Sequence, residues 1–88
     1  MTRELKVLFE LLGDDADLLE LLYEVGALRR DAERLEETEI EAALVARTLV
    51  RELDVNAPGV EIILRMRAEL IAQRRQVGEL LALLKKGR

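Results

Sequence analysis

The segment Val55-Asn56-Ala57-Pro58-Gly59 is the clearest break in the sequence, and no further proline follows it. Asn is a good N-cap, and Pro fits the first turn of a helix because its missing N–H would have no partner there. The segment therefore predicts a long last helix that is capped by Asn56 and runs from about Gly59 to Lys85. At 1.5 Å per residue, such a helix is about 40 Å long.

Two shorter helices are predicted near the start of the chain. Apolar residues at positions i, i+3, i+4 and i+7 within residues 5–12 indicate a helix with one buried face, and Gly13 ends it. Asp14 or Asp15 then caps a second helix that runs to about Val25. Together they predict a helix–short turn–helix unit.

The middle of the chain predicts a connection and a third helix. Residues 27–36 have mixed charge and no clear period, so we expect a connecting loop, with a reduced hairpin as the alternative. The third helix covers roughly residues 38–53. Thr38 is its predicted N-cap, with Glu41 three residues later at the capping-box spacing. The predicted inward residues of this helix are Ile40, Leu44, Val45, Leu49 and Leu53.

These elements predict an all-α fold with four helices in one structural domain. Residues 1–58 form the helix-turn-helix core, and residues 59–88 form the long C-terminal helix. With 88 residues and only 2% aromatic residues, the core is thin, and small domains of this kind often dimerise.

The composition argues against chemistry. There is no Cys and no His, which excludes disulfides, thiol nucleophiles, His-based acid–base catalysis and nearly every zinc site. We expect no enzyme activity, no cofactor and no metal. No apolar run approaches the roughly 20 residues of a membrane span, so we expect a cytoplasmic protein without membrane contact.

The acidic charge is concentrated in the second helix. Residues 1–41 carry thirteen acids and five bases, whereas residues 42–88 carry five acids and nine bases. Between Glu10 and Glu24 there are six acids and no base. At 100° per residue, Asp17, Glu20 and Glu24 fall within an arc of about 60°. The stripe is either a solvated face or, with the leucines beside it, a binding face for a basic helix.

The last helix carries a partial coiled-coil pattern. Ile63, Leu70, Val77 and Leu84 recur every seven residues, but the second seam position alternates between apolar residues (Val60, Leu81) and arginines (Arg67, Arg74). The first half should pack on the core through Val60, Ile63, Leu64, Leu70 and Ile71. The second half needs cover from elsewhere. We expect antiparallel pairing of two copies through Ile63, Leu70, Val77, Leu81 and Leu84. Pairing with another protein and folding back are the alternatives.

Two stretches resemble known families. The segment from Leu53 to Leu64 is similar to a stretch shared by MerR-type repressors of heat-shock genes and by the CbpM-type chaperone modulators that regulate J-domain co-chaperones. The segment from Asp15 to Leu28 resembles the second helix of the MerR helix-turn-helix. The resemblance spans roughly residues 5–84. MerR DNA binders usually have Arg near the position of Glu20 and an aromatic wing in place of residues 28–35, and both are missing here.

The resemblance to the chaperone modulators implies a MerR-like helix-turn-helix with a reduced wing and a role in protein binding. In that family, the second helix engages the basic second helix of a J domain. One relative in thermophilic bacteria assembles DnaK and DnaJ into one complex. The implied partners are therefore a DnaJ-type co-chaperone and DnaK, with this chain as a homodimer or as a component of a hetero-oligomer. The candidate binding residues are Asp14, Asp17, Leu18, Glu20, Leu21 and Glu24. The family pattern assigns Leu19, Leu22 and Tyr23 to the core.

The alternative function is a DNA-binding transcriptional regulator of the MerR heat-shock type. DNA recognition needs Lys or Arg against phosphates and Arg, Asn or Gln against base edges. The second helix offers none of these. Arg29, Arg30 and Arg34 in the following loop are the only candidates, and acidic residues surround them. Nucleic acid is therefore the less favoured partner.

Overall fold

The computed structural model of the chain describes residues 2–87. Met1, the first residue of the predicted core segment 1–58, and Arg88, the last residue of the predicted helical segment 59–88, lie outside the described residues. Most of the described chain is helical, which confirms the predicted class at that level. A small sheet of two strands, which an all-α fold does not include, accompanies the four helices. The elements in chain order are β1 (Thr2–Glu4), α1 (Leu5–Leu11), α2 (Ala16–Glu24), β2 (Arg34–Glu36), α3 (Glu37–Arg51) and α4 (Ala57–Lys86).

The two short strands pair antiparallel, with Arg3 opposite Leu35 and Glu4 opposite Arg34. The segment predicted to be a loop therefore contains a strand, and that strand pairs with the N-terminal strand rather than within a hairpin. Leu35 is fully buried, whereas its two neighbours in β2 are exposed. Three residues with one inward side chain carry too little alternation to reveal a strand in the sequence.

The turn between α1 and α2 lies where the sequence predicts it. Gly13 and Asp14 both have positive φ angles, 72° and 56°, which is the left-handed conformation that commonly ends a helix. The backbone N–H of Asp14 donates to the carbonyl of Phe9 at 3.0 Å. Asp15 is the N-cap of α2, because its Oδ1 accepts from the N–H of Leu18 at 3.1 Å.

Helix α3 begins earlier than predicted, and its cap is different. The N-cap is Glu36, whose backbone N–H donates to Oε1 of Glu39 at 3.0 Å. The predicted pair Thr38 and Glu41 is therefore not the cap, since both residues lie within the helix. Leu53 follows the end of α3 and is 65% exposed, so its predicted inward position is wrong.

The core is made almost entirely of residues that precede the Asn56 break. Leucines from α1, α2 and both connections meet the inward side of α3, where two alanines are completely buried. No polar side chain among the described residues is buried. The buried residues are Leu8, Leu12, Leu18, Leu22, Leu28, Leu35, Ile40, Ala43, Ala46, Leu49 and Val60.

Helix α4 leaves the core after about two turns. Asn56 caps it through Oδ1, which accepts from the N–H of Gly59 at 2.9 Å. Val60 is its one buried residue in the described chain, and Leu64 packs partly against the core. All residues from 68 to 87 are exposed, and the molecule measures 53 × 26 × 20 Å.

Three residues of α4 that were predicted to pack on the core do not do so. Ile63, Leu70 and Ile71 are 36%, 53% and 43% exposed. Leu70 and Ile71 lie beyond the part of the helix that contacts the core, whereas Ile63, which precedes the partly packed Leu64, lies on a different side of the helix. In the described part of the chain, no helix combines the length and the apolar character that crossing a membrane requires.

Two glycines of α4 provide a matched stability test. A Cβ on Gly59 would lie 2.7 Å from Val55 Cγ1 and 3.1 Å from Oδ1 of Asn56, whereas Gly78 has nothing within 4 Å. In a helix interior Ala is favoured over Gly by about 1 kcal/mol. Gly78→Ala should therefore stabilise α4 by about 1 kcal/mol, and Gly59→Ala should destabilise the protein because the methyl group displaces the Asn56 cap. Thermal unfolding followed by circular dichroism measures both. Equal stabilisation by the two substitutions would contradict the packing of the first turn.

Candidate protein-binding surfaces

Helix α2 separates its apolar and acidic residues onto opposite sides. Leu18 and Leu22 are buried in the core, while Asp17, Glu20 and Glu24 are exposed. Leu18 was predicted to lie on the binding face. It is 4% exposed, so that assignment is corrected: it lies about 100° around the helix from Asp17, on the inward side. Leu21, the other predicted apolar contact, is half-buried at the edge of the acidic side.

Asp15 has a structural role in addition to its charge. Nη2 of Arg51 donates to Oδ2 of Asp15 at 3.0 Å and to the carbonyl of Leu12 at 2.8 Å. This one guanidinium therefore joins the ends of α1 and α3 to the start of α2. The N–H of Leu18 and then Arg51 lower the pKa of Asp15 below its ordinary value of 3.8.

Glu20 is paired within the chain. Both of its carboxylate oxygens accept from the guanidinium of Arg30, the longer contact being 3.5 Å. The guanidinium also lies 4.8 Å from the centroid of the Tyr23 ring, within the range of a cation–π contact. The hydrogen bond from Arg30 lowers the pKa of Glu20, and the same bond raises the pKa of Arg30. The acidic stripe is therefore not uniformly negative, because its middle carboxylate is already neutralised.

The acids that remain available are Asp14, Asp17 and Glu24, which we call the acidic α2 face. All three are exposed, and among the described residues none forms an ion pair. Asp14 is held in the left-handed turn before α2, so it precedes the helix while the other two project from it.

Apolar depressions lie on both sides of this face. One, of about 180 Å³, lies between α2 and α3 and is lined by Leu18, Leu21 and Val50 together with Asp15 and Asp17. The other, of about 390 Å³, lies between α1 and α2 and is lined almost entirely by apolar atoms of Leu5, Phe9 and Leu19, beside Lys6. Exposed carboxylates between two apolar depressions suit a cationic, amphipathic ligand.

The three arginines that a DNA-binding role requires are engaged with acids. Arg30 is held by Glu20, as described above. Arg29 lies 3.9 Å from Glu39, and Arg34 lies 3.9 Å from Glu4. A phosphate backbone would have to compete with these carboxylates for each cation.

A second exposed surface lies along α4. The five residues predicted to mediate oligomerisation are all exposed on this helix, between 36% and 65%. Met66 and Leu80, which are not among the five predicted oligomerisation residues, are also exposed on α4. In the sequence, Met66 follows Ile63 by three residues and Leu80 follows Val77 by three residues, and this spacing could have identified them.

Comparisons with known proteins add no relative. No protein-family model matches the sequence, and no curated protein or solved structure matches it. Within residues 2–87, no group of three or more acidic side chains is arranged to hold a metal ion.

The lowered pKa of Asp15 couples folding to pH. A carboxyl with a lower pKa in the folded state than in the unfolded state stabilises the fold while it is ionised. Its contribution is complete above the unfolded pKa and is lost as the pH falls through the folded pKa. Urea unfolding between about pH 5 and pH 2 should therefore show less loss of stability in Asp15→Asn than in the wild type. Asn keeps the N-cap acceptor but not the charge, and an unchanged pH dependence in this variant would contradict the lowered pKa of Asp15 in the folded protein.

Proposed function

We propose that this chain is a protein-binding module of the chaperone-modulator type. In this proposal, it engages the J domain of a DnaJ-type co-chaperone through α2, either alone or within a DnaK–DnaJ complex. The proposed activity is binding only, with no catalytic step and no cofactor. The observation that carries the proposal is the acidic α2 face, whose exposed carboxylates form no ion pair among the described residues and lie between two apolar depressions.

The arrangement of the first helices supports a MerR-like helix-turn-helix as the proposed fold. Helix α1, the tight turn at Gly13 and Asp14, and helix α2 follow each other as in such a unit. In the proposed fold, the three-residue strand β2 is the reduced wing. In this interpretation, α2 occupies the position that a DNA-reading helix has in related folds, and it carries acids instead of bases.

The chemistry of α2 specifies the class of partner. A helix with Lys and Arg along one side would meet Asp14, Asp17 and Glu24, and charge of opposite sign would accelerate the encounter. Apolar side chains at the edges of that helix would fill the depressions beside Leu21 and beside Leu19, where most of the affinity arises. The basic second helix of a J domain is a ligand of this class.

A DNA-binding regulator is not favoured by any contact in the structure. Helix α2 has no basic residue, so a phosphate backbone near it would be repelled. The loop arginines are in ion pairs with Glu39, Glu20 and Glu4.

Charge reversal tests the proposed site. Asp17→Lys/Glu24→Lys should weaken binding to an isolated J domain by about tenfold or more, because two attractive contacts become repulsive. The remaining binding should also depend less on salt. Isothermal titration calorimetry at low and high salt measures both effects. Glu20 is left unchanged, because a lysine there would face Arg30 and disturb the loop.

The control is Glu33→Lys/Glu52→Lys, which changes the net charge equally. Both residues are exposed, lie outside α2, and form no ion pair in the described chain. This variant should retain most of the affinity. An equal loss in both variants would indicate a non-specific charge effect, and unchanged affinity in the α2 variant would reject the proposed site.

A further inference from the structure

Glu20, Tyr23 and Arg30 form a cluster at the surface of α2. The guanidinium of Arg30 donates to both carboxylate oxygens of Glu20 and lies 4.8 Å from the centroid of the Tyr23 ring. A carboxylate that accepts two hydrogen bonds, together with an aromatic face, suits a guanidinium better than an ammonium group. We call Glu20 and Tyr23 the guanidinium pair, and Arg30 is its occupant in the free chain.

Both members of the guanidinium pair are positioned by α2 itself. They lie three residues apart in the helix and therefore about 60° apart around its axis. Leu18 and Leu22 fix the helix in the core, and Tyr23 also packs partly against it. The shape of the pair therefore does not depend on the loop that supplies Arg30.

Arg30 comes from the connection between α2 and β2, and its side chain is 63% exposed. The connection is held on both sides of this residue without it. Leu28 is buried in the core, and the N–H of Ala32 donates to the carbonyl of Arg29 at 3.2 Å. Exposed ion pairs contribute little to stability, so the guanidinium can leave Glu20 while the loop stays folded.

The occupant lies beside the acidic α2 face. Glu20 falls between Asp17 and Glu24 in the helix. The hydrogen bond to Glu20 raises the pKa of Arg30 most, and Glu24 adds to the effect. The guanidinium is therefore within electrostatic reach of the acidic α2 face. A cationic helix that contacts Asp17 and Glu24 would bring its own positive charge next to Arg30, and like charges at such distances repel each other.

The geometry points to a binding site for an arginine side chain of the partner, formed by the guanidinium pair and occupied in the free chain by Arg30 as an internal competitor. This inference rests on the proposed role of α2 in binding a cationic helix, and it specifies that the cation facing Glu20 is arginine. An incoming arginine replaces both the hydrogen bonds and the ring contact that Arg30 loses. A lysine has no planar group to lie on the ring of Tyr23.

Removal of the competitor tests the inference. Arg30→Gln should tighten the binding of a cationic helix at low salt by about fivefold, because the ligand no longer displaces a charge of the chain itself. Isothermal titration calorimetry measures this with two ligands, an isolated J domain and a synthetic amphipathic helix that carries Lys and Arg on one side and Leu at its edges.

Arg29→Gln is the matched control. It removes the same charge from the neighbouring residue, whose ion pair is with Glu39 of α3 at 3.9 Å, and should leave the affinity nearly unchanged. In a Glu20→Gln background, Arg30→Gln should no longer tighten binding, because the carboxylate that both arginines compete for is absent. Unchanged or weaker binding by Arg30→Gln, or an equal gain from Arg29→Gln, would overturn the inference.

The class of ligand is tested with two synthetic helices that differ only in their middle cation, Arg or Lys. Arg30→Gln should bind the Arg helix about fivefold more tightly than the Lys helix. Tyr23→Phe/Arg30→Gln keeps the ring and should keep this preference. Tyr23→Leu/Arg30→Gln, checked for folding by circular dichroism, should lose it, and so should Glu20→Gln/Arg30→Gln, which changes only exposed positions. Equal binding of the two helices by Arg30→Gln would reject arginine as the ligand.

The synthetic helices make the failures of the two proposals distinguishable. If they bind as expected while the J domain binds neither the wild type nor Arg30→Gln, the arginine site stands and the chaperone assignment fails. If the J domain binds through Asp17 and Glu24 with the same affinity in Arg30→Gln, the proposed function stands and the competition by Arg30 is overturned. Absence of binding to either ligand overturns both.

Discussion

The burial of Val60 fixes how α4 relates to the rest of the molecule. It is the one buried residue of that helix among the described residues, and the Asn56 cap immediately before it sets the direction in which the helix departs. The core that receives Val60 consists of residues 8–49, and it has no element long enough to follow α4 further. A helix of 30 residues is therefore held at its beginning and presented to solvent over the rest of its length.

The acidic residues of the N-terminal half fall into two groups. Some are paired with arginines of the same chain, and others are free to contact a partner. Asp15 is used to join three elements through Arg51, and Glu20 is used to hold Arg30 over Tyr23. Both arginines follow their acids by ten residues or more, so their pairing depends on the tertiary fold. When Asp15 and Glu20 are left out because they are already paired, the remaining acids are those of the acidic α2 face. A partner can neutralise the charge of these acids.

What the sequence predicted well was local. The turn at Gly13 and the cap at Asn56 are specified by residues within one helical turn, so the helix order and the α4 start were predictable. Strand β2 was missed because only Leu35 in it is apolar and buried. The cap of α3 was misassigned because Thr38 is the better N-cap by residue type, whereas pairing of β2 with β1 places Glu36 at that position. Leu18 was misassigned because spacing gives a helix its faces but not which face meets the core. Ile71 was misassigned because spacing does not show where a helix leaves the core.

The two candidate surfaces, the acidic α2 face and the exposed apolar residues of α4, lie on different elements. Near the start of α4, Glu61 and Leu64 line a depression together with Val25 and Gly26, which follow the end of α2. A partner that contacted both surfaces would meet the second at a high effective concentration once it held the first.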